Sequence, residues 1–93
     1  MKPWYVYMIE CADGSIYTGV AVDVAARYGQ HAAGKGARYT RAHPPRRLIA
    51  VIPQPDRSSA LRAERALKKL RPGDKRAIAA GHPPQAEFSN ISG

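Results

Sequence analysis

The chain has 93 residues, 44% of them hydrophobic, enough for one small apolar core and too many for a disordered polyelectrolyte. Its 15 Lys and Arg against 7 Asp and Glu leave a formal net charge of +8, a surplus that favours a polyanionic partner, nucleic acid first. No apolar run approaches the ~18 residues of a membrane span. The first residues do not read as a signal peptide, and the single Cys11 excludes an internal disulfide and a four-thiolate zinc site, so a cytoplasmic protein with no membrane contact is expected.

Trp4 to Ile9 is aromatic or aliphatic almost throughout and predicts a central strand. Asp13-Gly14 predicts a hairpin turn, with a second strand from about Ser15 to Val20. A two-residue loop would put Tyr7 and Tyr17 on opposite faces of the sheet. An odd-length loop or a bulge would put them on the same face, and the residues leave both open. As strand tyrosines, Tyr5, Tyr7 and Tyr17 are ordinarily packing residues.

Asp23 can cap a helix from Val24 to about Ala33, stopped at Gly34. Arg27 and His31 stand four apart on it and project from one side, at the edge of the apolar stripe of Val24 and Tyr28. Such a pair can hold a phosphate and move a proton, or be an unremarkable surface pair. Gly34 to Pro45 reads as a loop, and Arg47 to Ile52 as a third strand closed by Pro53 and Pro55.

Asp56 or Ser58 can cap a second helix reaching Leu70, on which Ala60, Glu64 and Leu67 share one face. A carboxylate on an inward stripe needs a cation, hydrogen-bond donors or a metal. The alternative is an exposed pair with Lys68. Pro72 opens a third helix, Gly73 to Ala80, with Gly81 as its C-cap. The order β-β-α-β-α-α implies an α+β fold: a three-stranded, mostly antiparallel sheet with helices able to cover both faces. One domain is expected over 1–82 and a mobile tail over 83–93.

No carboxylate falls between Val24 and Pro55, a stretch that carries Arg27, Lys35, Arg38, Arg41, Arg46 and Arg47. With Tyr39 as a stacking ring, Lys35, Arg38, Arg41, Arg46 and Arg47 are the candidate nucleic-acid-binding residues. A solvated basic loop is the plainer alternative. Cys11 reads as a free thiol at a strand end, and His43 and His82 as loop residues.

Taken together, these residues resemble the GIY-YIG nuclease family, in particular its small stand-alone bacterial members of the YhbQ type. The first half-motif stands as Tyr5-Val6-Tyr7 and the second as Tyr17-Thr18-Gly19, ten residues apart from tyrosine to tyrosine; Arg27 follows ten further on. His31 falls where the family has His or Tyr, and Ser59 to Lys68 looks like the helix that carries its glutamate. The stretch from Gly34 to Thr40 resembles the stand-alone subgroup. Tyr5 and Thr18 replace a glycine and an isoleucine of the half-motifs, and Arg76 stands roughly where some members carry an asparagine.

The resemblance implies an endonuclease that hydrolyses DNA phosphodiesters with one divalent metal, Mg²⁺ or Mn²⁺, on Glu64. It implies Arg27 on the phosphate, Tyr7 or Tyr17 at the attacking water, and His31 as a proton acceptor. Arg27, the metal and His31 are the expected means of lowering a tyrosine pKa toward that of a usable base. The expected target is structure- or damage-directed, as in DNA repair, since no further DNA-binding domain is legible; DNA stands ahead of RNA, and the protein is expected to be a monomer. The alternative is a nucleic-acid-binding module with weak or no cleavage.

Overall fold

The computed structural model describes residues 3–84; of the tail expected over 83–93, residues 85–93 lie outside that range. The apolar run at the start of the chain forms β1 (Trp4–Cys11), the central strand of one antiparallel sheet in the order β2-β1-β3, with β2 (Ile16–Ala21) and β3 (Pro45–Gln54) at its edges. Four helices follow the hairpin and β3: α1 (Val24–Ala32), α2 (Arg38–Ala42), α3 (Arg57–Lys68) and α4 (Pro72–Ala80).

The hairpin loop has odd length. The Gly14 N–H donates to the Cys11 carbonyl at 2.9 Å, the Cys11 N–H donates to the Ser15 carbonyl at 2.8 Å, and Gly14 has φ +86°. A turn closed by a left-handed glycine leaves three residues, Ala12 to Gly14, outside the ladder. Tyr7 therefore lies opposite Gly19 and Ile9 opposite Tyr17, so both tyrosines share one face.

That face packs on α1 through Ile9, Val24, Tyr28, Leu48 and Val51. The other face packs Val6, Met8 and Ala50 against Ala60 and Leu67 of α3 and Ala79 of α4. The β1–β3 register shifts between Met8, opposite Ala50, and Ile9, opposite Leu48. This bulge puts Leu48 and Ala50 in different cores although they are two residues apart.

The predicted caps are formed. The Asp23 carboxylate accepts from the Ala26 N–H at 3.0 Å, and that of Asp56 from the Ser59 N–H at 2.8 Å. Gly34, at φ +77°, ends α1. Two elements differ from expectation. Gly34 to Pro45 contains the short α2, whose Thr40 is buried. β3 runs through Pro53 to Gln54, which an edge strand permits because proline's missing N–H can face outward.

Candidate active site

The shared face of the hairpin and the inner side of α1 bring the ring groups together. The Tyr7 hydroxyl lies 2.8 Å from His31 Nε2, and His31 Nδ1 lies 2.6 Å from Thr40 Oγ1. The Thr40 hydroxyl donates its one proton to the Ala37 carbonyl at 3.0 Å, so it can only accept from His31. The network thus assigns the proton to Nδ1, and the Nε2 lone pair accepts from the Tyr7 O–H. Tyr7, His31 and Thr40 are each 1% exposed, a dry chain of three linked groups. The Tyr17 ring stands beside it, 5.0 Å from His31 and 6.3 Å from Tyr7 between centroids.

Two glycines seat these rings. A Cβ on Gly19 would lie 2.5 Å from the Tyr7 hydroxyl oxygen, and a Cβ on Gly36 would overlap His31 Nδ1. Gly36 and Thr40 are not among the expected site residues; the signal for them is that the stretch from Gly34 to Thr40 resembles the stand-alone subgroup, while their contact with His31 has no local pattern. Burial first, then the Arg27 charge, lowers the His31 pKa to about 4, so the imidazole is neutral at pH 7. Burial also raises the Tyr7 pKa, helped by Tyr17; Arg27 opposes this and loses. Arg27 by itself does not bring the Tyr7 pKa down, because desolvation of a buried phenolate outweighs one guanidinium.

Arg27 is half-buried on α1, bonded to Gln30 Oε1 at 2.6 Å and near enough to favour the ionised form of Tyr7. Glu64 lies on α3 across the sheet edge, with its side chain 18% exposed and near enough to disfavour that ionised form. Glu64 Oε2 lies 3.4 Å from Lys68 Nζ, so the i, i+4 pair is present although the carboxylate is largely covered. The Lys68 ammonium also lies 5.8 Å from the centre of the Tyr17 ring.

No group of three or more His, Cys, Asp or Glu that could hold a metal exists among the described residues. One carboxylate fits a hard dication that keeps its waters and shares substrate oxygens, as Mg²⁺ does. It does not fit an all-protein cage.

The cationic residues divide. Lys35, Arg38 and Arg41 are exposed and make no ion pair among the described residues. Arg46 and Arg47 are tied to Glu10, a residue the sequence reading passed over. Glu10 is 5% exposed; Arg76 Nη1 donates to it at 2.6 Å and Arg47 Nε at 3.0 Å, with Arg46 Nη1 at 3.5 Å. Hydrogen bonds from Arg76 and then Arg47 hold its pKa below the ordinary value against the opposing effect of burial. Arg76 therefore belongs to this clamp rather than to Glu64. The Tyr39 ring is stacked on Tyr17 at 5.8 Å and on His43 at 4.3 Å, and His43 Nδ1 is bonded to Asp13 at 2.5 Å.

Residues 3–76 match the GIY-YIG catalytic domain. A UPF0213 protein of Cupriavidus pinatubonensis is 48% identical over 79 residues, 85% of this chain and 88% of that one. UPF0213 protein YhbQ of Escherichia coli is 44% identical over 80 residues, 86% of this chain and 80% of that one. The solution structure of a UPF0213 protein from Bacillus halodurans is similar at 40% identity and a TM-score of 0.56, covering 94% of this chain and 93% of that one.

Proposed function

The chain belongs to the GIY-YIG nuclease family, and on that premise we propose that it is a metal-dependent endonuclease that hydrolyses DNA phosphodiesters, directed by structure or damage rather than by extended sequence. The observation that carries this reading is the hydrogen-bonded chain Tyr7–His31–Thr40 with the Tyr17 ring beside it and the Arg27 and Glu64 charges near enough to act on Tyr7.

Tyr7 is too weak an acid to stand ionised at neutral pH. It takes a proton from the attacking water as its own proton passes to Nε2 of His31, while Thr40 keeps the imidazole in the accepting tautomer. The incoming phosphate sets negative charge beside Arg27 and so offsets the cation that, after burial, holds the His31 pKa down. Arg27 offers two parallel donors to a non-bridging oxygen as charge builds there. Glu64 would hold Mg²⁺ or Mn²⁺, which would supply positive charge for the phosphate and the leaving oxygen.

A second reading, a nucleic-acid-binding module with weak or no cleavage, is favoured by the Lys68 ammonium already paired with Glu64. Both readings take nucleic acid as partner, DNA ahead of RNA, and a monomer acting in the cytoplasm. Among the described residues no helix is long and apolar enough to cross a membrane.

The test is cleavage of single-stranded, nicked and branched DNA, and of RNA, with and without Mg²⁺ or Mn²⁺. Cleavage is expected only with metal, and to disappear in Glu64→Gln and Arg27→Ala with folding intact. Binding without cleavage by the wild type establishes the second reading instead.

A further inference from the structure

A cleft of about 320 Å³ runs over the exposed edge of β2, lined by Ile16, Tyr17, Thr18, Tyr39, Lys68 and Lys75. Tyr17 borders the candidate active site as well, but the proton relay uses none of Thr18, Lys68 and Lys75. Two ammonium groups, from α3 and α4, face it together. Lys75 is half-buried and makes no ion pair among the described residues, and Lys68 spans the distance from this cleft to Glu64. At its floor, Thr18 is 2% exposed, and its hydroxyl has no hydrogen-bond partner among the described residues. A buried hydroxyl without a partner is costly and rare in native structures. Two like charges at one cleft are costly as well. An anion with acceptor oxygens relieves both at once.

We infer that this cleft is a second phosphate seat, holding a backbone phosphate of the same nucleic-acid strand whose scissile phosphate lies at Arg27 and Glu64. Lys68 and Lys75 supply the positive charge, and the Thr18 hydroxyl donates to a phosphate oxygen. The identification of the anion rests on the nuclease reading above. The seat is continuous with the candidate active site, because Tyr17 borders both and Lys68 touches Glu64. A strand gripped there is held in register with the reacting groups, which is how a binding contact away from the chemistry lowers a barrier.

The experiment is fluorescence anisotropy with labelled single-stranded and duplex oligonucleotides in EDTA, across about 50–200 mM salt, so that neither metal nor turnover enters. Lys68→Gln and Lys75→Gln are each expected to weaken binding and to lower the log–log salt slope by about one. Arg57→Gln, at the opposite end of α3 and about 16 Å away by helix rise, is expected to leave the slope unchanged. Thr18→Val is expected to weaken binding while melting no lower than the wild type, an opposition that a merely structural hydroxyl would not produce. Lys75→Gln decides the matter, since Lys75 makes no ion pair among the described residues that the change would break. An unchanged slope in that variant, with wild-type binding intact, overturns the seat and leaves the nuclease reading standing. A wild type that binds no oligonucleotide overturns both.

Discussion

Thr40 hands its only proton to a backbone carbonyl, and from that one bond follow the tautomer of His31 and the direction in which Tyr7 can lose a proton. Thr40→Val leaves the buried Nδ1–H of His31 without an acceptor. The expected cost is about 1–3 kcal/mol in stability, read by thermal or urea unfolding. Slower cleavage is expected as well, with oligonucleotide affinity in EDTA retained, because Thr40 touches the relay and not the strand. The His31 imidazole should titrate near pH 4 by NMR rather than near its ordinary 6.5. Its folded-state pKa is depressed, so its contribution to stability is present above pH 6.5 and is lost as pH falls through about 4. Tyr7, Tyr17, Arg27, His31 and Glu64 stand out as candidates through the family resemblance, since spacing alone also allows packing tyrosines and surface pairs. The likeness of Gly34 to Thr40 to the subgroup marks the segment but not the roles of Gly36 and Thr40, because a string of residues does not show which loop atoms will lie against a ring.

At the scale of elements, loop parity outweighs strand composition. The residues of β1 and β2 read as strands with either hairpin loop, and it is the odd count of three residues outside the ladder that sets Tyr17 on the face of Tyr7. Gly14, at φ +86°, makes that loop possible. Gly14→Ala should lower stability by about 1–2 kcal/mol, the cost of a side chain in the left-handed region. Gly29→Ala is its counterpart: it sits within α1, and a Cβ there meets nothing within 4 Å. It should raise stability by about 1 kcal/mol. Thermal melts of the two variants beside the wild type test both signs.

Over the whole molecule, Glu10 joins parts that local sequence keeps far apart. From the central strand it receives Arg47 and Arg46 of β3 and Arg76 of α4, while Arg76 also bonds the Gly14 carbonyl of the hairpin at 2.7 Å. The carboxyl holds its proton less tightly in the folded chain than its ordinary value of 4.5. Below about pH 4.5 the unfolded chain therefore binds protons that the folded one refuses, and the clamp's contribution is lost as pH falls through the lower folded-state value. Glu10→Gln should cost about 2 kcal/mol at pH 7 and flatten the fall in stability below pH 4.5. Urea unfolding of the variant and the wild type across pH 3–7 measures the difference, and it separates Glu10 from His31, which both proteins keep.

Capping residues and apolar periodicity act over one turn of helix or along one strand, so the amino-acid order alone carries the element order and the capped helices, and its likeness to a family names the members of the candidate site. Loop parity, the bulge opposite β1, the glycine seats and the Glu10 clamp depend on which distant groups come within a few ångströms of one another, and that exists only once the chain has closed on itself. Burial works the same way. The pKa of Tyr7 rises because folding removes its phenol from water, an effect no list of neighbouring cations in the sequence could weigh.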